Sequence, residues 1–343
     1  MSTADLRGTV LPRWFAAAIA AIALAAALLV AQTSSMSGVT ATAVLAGVMY
    51  AVLQTAWSFI AEGRRHAVDR LMGTLIYASF VAAAAPLASL LWQVISRGSN
   101  AISGYFLTHS MRSVSPSKPG GGIYHALLGT LEQVGLATLI AVPVGILTAV
   151  YLVEYGQRGR LGRTISFFVD VMTGVPSIVA GLFIYTLWVL TLGLDRSGLA
   201  AALALTILML PVIVRTTEEM LRIVPNDLRE ASYALGIPKW RTIAKVVLPT
   251  AIGGIVTGVM LAVARVSGET APLLLTTFLS QSINSNPFAG PQAGVPTFVW
   301  DQIGSATPPS LDRAWAGALT LILLIMAFYS AAKFIARHYA PKA

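Results

Sequence analysis

The sequence of 343 residues has no cysteine, and only 11% of its residues are charged. Without cysteine the chain forms no disulfide, no iron–sulfur cluster and no thiol nucleophile. The four histidines, at positions 66, 109, 125 and 338, are scattered and lack the spacing of a metal site. The phosphate-binding loop GxxxxGKS/T is also missing, so any ATP that drives this protein is hydrolysed on another chain.

Apolar residues dominate instead, at 56% of the chain, and the mean hydropathy is +0.75. Soluble domains carry about 25% charged residues, so this composition predicts an integral membrane protein surrounded by lipid. The formal net charge of +9 fits basic loops on the inner face of a membrane better than it fits a nucleic-acid partner.

Eight apolar stretches approach the roughly 20 residues that a membrane-spanning helix needs. They are predicted at 14–31, 38–61, 71–96, 125–153, 165–193, 197–217, 249–277 and 314–336. A signal peptide is the alternative for the first stretch, because Arg7 and Arg13 precede it. That stretch is long for a signal peptide and has a poor cleavage site, so we predict an all-α protein with eight spans.

The basic residues predict the orientation of these spans. With the amino terminus inside, the inner segments receive 17 Lys and Arg residues, the outer loops receive 5, and Arg265 stays within a span. This asymmetry predicts that both termini are cytoplasmic. Two long outer segments, 97–124 and 278–313, are predicted to be irregular, and either rim a docking surface or simply connect helices.

Two stretches contain small residues in apolar surroundings. Residues 170–182 (DVMTGVPSIVAGL) combine an acid, two glycines and a proline, which suits a broken, pore-lining helix or close packing through small residues. The spacing of Gly254 and Gly258 favours close helix packing.

A polar, basic segment at 218–248 separates the sixth and seventh spans. Asn226 or Asp227 is predicted to cap a helix, which Gly236 ends in a left-handed conformation, and a second helical piece follows at 239–247. Three apolar residues recur at helical spacing, namely Leu228, Ala231 and Leu235. The resulting amphipathic pair either fits a groove on a partner or lies on lipid.

The seventh predicted span carries Arg265 about 24 Å beyond Pro249, at 1.5 Å per residue. An arginine near the bilayer centre costs about 2.5–3.5 kcal/mol, which indicates a function. Arg265 and Glu269 are predicted to share one helix face. A guanidinium binds phosphate oxygens in a bidentate manner, and Arg215 at the end of the preceding span would pass an anion toward the cytoplasm. The alternative is a buried ion pair that fixes helix packing.

Glu269 suggests a selectivity mechanism. Phosphate near neutral pH still carries a proton and can donate a hydrogen bond to a carboxylate, whereas sulfate cannot. We hypothesise that Glu269 rejects fully deprotonated oxyanions while Arg265 attracts negative charge.

Two sets of motifs resemble known transport proteins. Residues 230–232 (EAS), with Gly236 and the Leu-Pro pair at 248–249, resemble the EAA loop of ABC-importer permeases, except that serine replaces the usual third alanine. Residues 264–274 (ARVSGETAPLL) resemble the signature of the PstA family of phosphate permeases. Residues 120–123, 129–131, 174–179 and 214–222 are similar to the same family, and the resemblance covers about 71–340.

The resemblance implies a type I ABC-importer permease core of six spans at 71–343, preceded by a two-span hairpin at 1–70 of unknown role. It implies a location in a bacterial cell membrane, a sister permease (PstC), two copies of an ATPase (PstB) that uses ATP and Mg²⁺, and a phosphate-binding protein (PstS). The chain itself would be neither an enzyme nor the binder of a cofactor. By the same resemblance, inorganic phosphate passes Arg215, Arg265 and Glu269. The residues that couple to the ATPase would be Glu230, Ala231, Ser232, Gly236, Leu248 and Pro249.

Three other functions are weighed. A permease for sulfate or molybdate disagrees with the GETAPLL run, and a secondary transporter would show an internal inverted repeat and have no use for the docking segment. An intramembrane enzyme would need a nucleophile–base pair or a metal cluster.

Overall fold

The computed structural model describes residues 11–12, 14–33, 38–156 and 159–339, and within these residues it contains helices and no strand. In chain order the α-helices are α1 (Phe15–Thr33), α2 (Val39–Ala61), α3 (Arg64–Ala101), α4 (Gly104–Thr108), α5 (Tyr124–Val150), α6 (Arg160–Thr173), α7 (Ser177–Ile184), α8 (Gly198–Ile223), α9 (Asn226–Ala234), α10 (Lys239–Thr242), α11 (Leu248–Ser267), α12 (Ala271–Thr276), α13 (Val295–Ser305) and α14 (Pro308–Tyr339). Three π-helical turns extend α5, α7 and α10, at Tyr151–Tyr155, Tyr185–Thr191 and Ile243–Val247.

Within the described ranges, seven helical stretches are long and apolar enough to cross a membrane, or eight if a bent pair counts as one span. The prediction of an all-α protein with eight spans is therefore confirmed when the pair is counted. The pair consists of Arg160–Thr173 and Ser177–Thr191, which meet at 109°. The break falls at Gly174–Pro176, where proline cannot donate a backbone hydrogen bond, as the sequence of this region predicted.

The chain divides into two compact units, Met1–Trp92 and Gln93–Ala343, with the boundary inside α3. In the first unit α1 buries a stripe at every fourth residue, formed by Phe15, Ile19, Ala23 and Ala27. A functional boundary between residues 70 and 71 remains a prediction. Four of the basic residues that the sequence places on the inner side, Arg7, Arg13, Arg158 and Lys342, lie outside the described residues.

Glu62 lies in the turn between α2 and α3. It accepts hydrogen bonds from the Leu11 N–H at 2.6 Å, from the Ser58 hydroxyl at 2.7 Å and from Arg70 at 2.7 Å. Burial of the carboxyl raises its pKa, but these hydrogen bonds and the Arg70 charge together lower the pKa to about 2. The carboxylate is therefore ionised at neutral pH and ties the start of the chain to α3.

The core of the second unit is built around α8. Leu205, Met209 and Ile213 are buried one turn apart on this helix. Glycines let its neighbours approach: a Cβ at Gly258 of α11 would lie 2.6 Å from Thr216 Cβ, and one at Gly254 would lie 2.6 Å from Met220 Cγ. The predicted packing role of these two glycines is therefore confirmed.

The prediction of an irregular outer segment at 278–313 is wrong in its second half. That half contains α13 and the first turns of α14. Pro296 lies in the first turn of α13, where no backbone donor is needed, and the Thr297 hydroxyl accepts the Gly294 N–H at 2.9 Å. Ser310 likewise accepts the Thr307 N–H at 3.0 Å at the start of α14. Prolines that indicated a loop therefore begin helices.

We predict that Gly258→Val destabilises the chain, because the new side chain overlaps Thr216 and overpacking costs about 1–3 kcal/mol. Thermal unfolding of the detergent-solubilised protein measures the effect. Gly253→Val on the same helix is the matched control, since a Cβ there meets nothing within 4 Å. Equal melting temperatures for the two variants would contradict the packing assignment.

Candidate anion path and coupling element

Arg265 lies in the last turn of α11, and the helix ends two residues later at Ser267. The Gly268 N–H donates to the Arg265 carbonyl at 3.3 Å, and the Glu269 N–H donates to the Val266 carbonyl at 3.1 Å. Glu269 thus follows the helix end, and α12 starts only at Ala271.

The prediction that Arg265 and Glu269 share a helix face is therefore wrong. The predicted single span at 249–277 is likewise two helices, α11 and α12. Glycine at 268 weakens the helix and proline at 272 has no N–H to continue it, so the chain turns between them. The short helix α12 then packs on α7, where a Cβ at Gly181 would lie 2.5 Å from Pro272 Cα.

The Arg265 side chain is exposed on the surface of its unit and makes no hydrogen bond or ion pair with any described residue. Glu269 is half-buried, and its carboxylate has no partner there either. A cation in the last turn of a helix gains about 0.3–1 kcal/mol from the helix dipole. An arginine at the centre of a bilayer costs about 2.5–3.5 kcal/mol, and one nearer the end of a helix extends toward the water interface. The dipole alone does not replace the lost hydration, so the guanidinium needs a further partner or water.

Arg215 differs from Arg265 because its guanidinium is paired with two carboxylates. It donates to Glu218 at 2.6 Å, to Asp170 at 2.5 Å and to the Ser166 hydroxyl at 2.8 Å. Glu218 also accepts from Arg222 at 2.5 Å. Two arginines and two carboxylates therefore balance in charge and connect α8 to α6.

The prediction that Arg215 ends its span is wrong, since α8 continues to Ile223. The contact between Asp170 and Arg215 was not predictable from the sequence, because the two residues are 45 positions apart. The contact between Glu218 and Arg215 was predictable, because an acid three residues after an arginine lies on the same face of a helix.

A cleft of about 440 Å³ opens beside this network. Its lining comprises Leu152, Gly156, Gly162, Arg163, Ser166, Glu218 and Arg222. Two arginines against one carboxylate make its rim basic. No group of three or more His, Cys, Asp or Glu side chains that could hold a metal ion occurs among the residues that the structure describes.

The docking segment folds as the two short helices α9 and α10. Gly236 has φ +72° and ends α9 with a left-handed turn, as predicted. The predicted cap at Asn226 or Asp227 is wrong: Pro225 precedes the helix and no side chain caps it. The second piece also does not stop before Pro249, because a π-helical turn makes Lys239–Ser267 one helical stretch.

The predicted coupling residues separate into exposed and inward-facing groups. Glu230, Ala231 and Gly236 are exposed, Leu248 and Pro249 are half-buried, and Ser232 is buried. The Ser232 hydroxyl lies 2.8 Å from the Thr242 hydroxyl and joins α9 to α10.

The apolar stripe of α9 faces away from the unit. Leu235 is 80% exposed and Leu228 41%, and Ala231 between them is also exposed. Such an exposed apolar stripe is available to a partner or to lipid.

The model of the family described as binding-protein-dependent transport system inner membrane component matches residues 141–343. The phosphate transport system permease protein PstA 1 of Mycobacterium tuberculosis (strain H37Rv) is 51% identical over 274 residues, covering 79% of this chain and 88% of that protein. The phosphate transport system permease protein PstA of Yersinia pestis is 40% identical over 238 residues, covering 69% and 80%.

Solved structures share the fold at low sequence identity. An inward-facing form of the MetNI methionine ABC transporter has a TM-score of 0.52 at 21% identity and covers 70% of this chain and 100% of its own. A bacterial ABC transporter that imports the acidic polysaccharide alginate has a TM-score of 0.56 at 14% identity and covers 80% and 99%. These likenesses establish a fold of the ABC-importer permease type.

We predict that Arg265→Cys reacts with a charged, water-soluble thiol reagent in the membrane-embedded protein, because the side chain is exposed and has no partner among the described residues. The chain has no native cysteine, so the new thiol is its only one. Ala262→Cys, at a fully buried position on the same helix, is the control and should stay unmodified. Labelling of this chain is measured by mass spectrometry. An Arg265→Cys variant that is not labelled would contradict the inference that water reaches this position.

Proposed function

The chain belongs to the family of binding-protein-dependent transport system inner membrane components, and we propose that it is the permease subunit of an ATP-driven phosphate importer. Relatives named as phosphate transport system permeases, 40–51% identical to it, support the substrate. The permease fold and the absence of a phosphate-binding loop from the sequence support a transport role without an ATPase site of its own.

The observation that carries the proposal is Arg265. A guanidinium that ends an apolar helix, is exposed and lacks a partner among the described residues offers planar, bidentate donors to an anion. Phosphate supplies matching oxygens, and its negative charge offsets the cost of holding arginine at a membrane helix. Glu269, beyond the helix end, would accept a hydrogen bond from the protonated oxygen of phosphate.

Arg215 is proposed as a second station on the same path. In this conformation Asp170 and Glu218 occupy its donors. Asp170 is the more exchangeable partner because its side chain is 65% exposed, against 8% for Glu218. Phosphate would reach Arg215 by displacing Asp170.

The partners follow from the same proposal. A sister permease of the PstC type would complete the path, and a binding protein of the PstS type would deliver phosphate. Two ATPase subunits of the PstB type would hydrolyse ATP with Mg²⁺. The docking segment would meet one of them through the exposed residues Glu230, Ala231 and Gly236, and would lie with both termini in the cytoplasm.

Another oxyanion, such as sulfate or molybdate, is the second candidate substrate. A guanidinium recognises their oxygens as well, so Arg265 alone does not separate them from phosphate. The difference rests on Glu269, because only an anion that still carries a proton can donate to its carboxylate.

The proposal is tested by phosphate uptake into vesicles that contain the assembled transporter and its binding protein. We expect Arg265→Gln to lower uptake about tenfold or more, since a hydrogen bond to a charged group is worth about 1.5–3 kcal/mol. Arg265→Lys keeps the charge but loses the planar fork, so its uptake should be intermediate. Arg65→Gln, an exposed arginine of the first unit, is the matched control. Wild-type uptake by Arg265→Gln would contradict the role of Arg265. Uptake of sulfate or molybdate instead of phosphate would show that the transporter has a different substrate.

We further predict that Glu269→Gln narrows the preference for phosphate over sulfate, because the amide no longer repels a fully deprotonated anion. Competition of sulfate against labelled phosphate uptake measures this preference. Glu219→Gln, an exposed acid on α8, should leave it unchanged. Unaltered discrimination in Glu269→Gln would show that Glu269 does not select the anion.

A further inference from the structure

A buried ion pair connects the docking segment to the end of α5. Arg229 of α9 donates to Glu154 Oε1 from Nε at 3.1 Å and from Nη2 at 2.9 Å. The two side chains are 12% and 6% exposed. Glu154 belongs to the π-helical turn that extends α5, so the pair joins elements that are 75 positions apart in sequence.

The same guanidinium also holds the end of α8. Arg229 donates to the carbonyl of Val224 at 2.6 Å and to that of Leu221 at 2.9 Å. Carbonyls at the end of a helix have no donor within the helix, so these bonds satisfy groups that would otherwise need water. One side chain therefore fixes α9 against both α8 and α5.

The second docking helix reaches the same place. Lys239 of α10 donates from Nζ to the backbone carbonyl of Glu154. Its ammonium group also lies 4.7 Å from the ring centroid of Tyr155. Both docking helices are thus tied to the turn at 151–155, and the Ser232–Thr242 hydroxyl contact ties them to each other.

The turn at 151–155 leads directly into the core. It extends α5, whose buried residues Ala137 and Ala141 pack in one cluster with Met209 and Ile213 of α8. A Cβ at Gly145 would lie 2.7 Å from Ile213 Cγ2, so the two helices are in close contact. A displacement of the docking segment therefore has a tight mechanical connection to α5 and, through it, to α8.

We propose that Glu154 is a positioning residue that transmits movement of the docking segment to α5, with Arg229 and Lys239 as its two attachments. The inference rests on the proposed function as an ATP-driven permease. A buried, charge-assisted pair suits this role because it resists separation, whereas the exposed stripe of α9 stays available to the ATPase.

The test measures transported phosphate and hydrolysed ATP together in vesicles that contain the complete transporter. Glu154→Gln keeps the side-chain shape and removes the charge. We expect the phosphate carried per ATP to fall about tenfold, the scale of one lost charged hydrogen bond, while ATP hydrolysis continues. Glu154→Asp, which keeps the charge, should lie closer to the wild type.

Glu62→Gln is the matched control, because Glu62 is another carboxylate paired with an arginine, at 2.7 Å and with 2% of its side chain exposed, in the first unit. It should leave the ratio of phosphate to ATP unchanged. A wild-type ratio in Glu154→Gln would overturn the inference, and so would a proportional loss of uptake and hydrolysis, which indicates a structural role only.

Failure of this inference and failure of the proposed function give different results. If Glu154→Gln does not assemble with the ATPase, Lys239→Gln and Arg229→Lys each weaken one attachment, and wild-type ratios in both would overturn the inference. If the wild-type transporter carries no phosphate, the proposed function fails before any variant is compared. The ratio is then measured with the oxyanion that the transporter does carry.

Discussion

A positive charge at the end of an apolar helix must be compensated, and the proposed anion path depends on this constraint. Arg265 ends α11 without a hydrogen bond or ion pair to any described residue. The helix dipole supplies about 0.3–1 kcal/mol, whereas an arginine at the centre of a bilayer costs about 2.5–3.5 kcal/mol. The unpaired charge therefore needs water, a partner chain or a bound anion at this position, and an anion path meets that requirement directly.

The two arginines that the sequence singled out are in different electrostatic states. Arg265 is exposed and unpaired within the described chain, whereas Arg215 is bound by two carboxylates and a serine. On such a path phosphate would bind at Arg265 first and would reach Arg215 only after Asp170 leaves. Arg265 would then be an open binding site and Arg215 a closed one. The 109° bend between α6 and α7 lies one turn beyond Asp170, so this ion pair connects the last turn of α6 to α8 next to the bend.

The membrane-spanning helices were predictable because their apolar stretches are long and the loops between them carry the charged residues. The break at Gly174–Pro176 was predictable because proline has no backbone N–H to donate within a helix. The error at Glu269 came from counting four residues along a helix through Gly268 toward Pro272, where the helix cannot continue. The contacts of Asp170 with Arg215 and of Glu154 with Arg229 join residues 45 and 75 positions apart, and no local pattern encodes them. Ser232 resembled a docking residue, but tertiary structure turned its hydroxyl inward to Thr242.

The most direct test of the central claim is a structure of the assembled transporter with phosphate trapped inside it. We predict phosphate oxygens within about 3 Å of the Arg265 guanidinium, a normal hydrogen-bond distance, with the Glu269 carboxylate close to the protonated oxygen. A structure in which Arg265 pairs with a carboxylate of another subunit, while phosphate binds elsewhere, would contradict it.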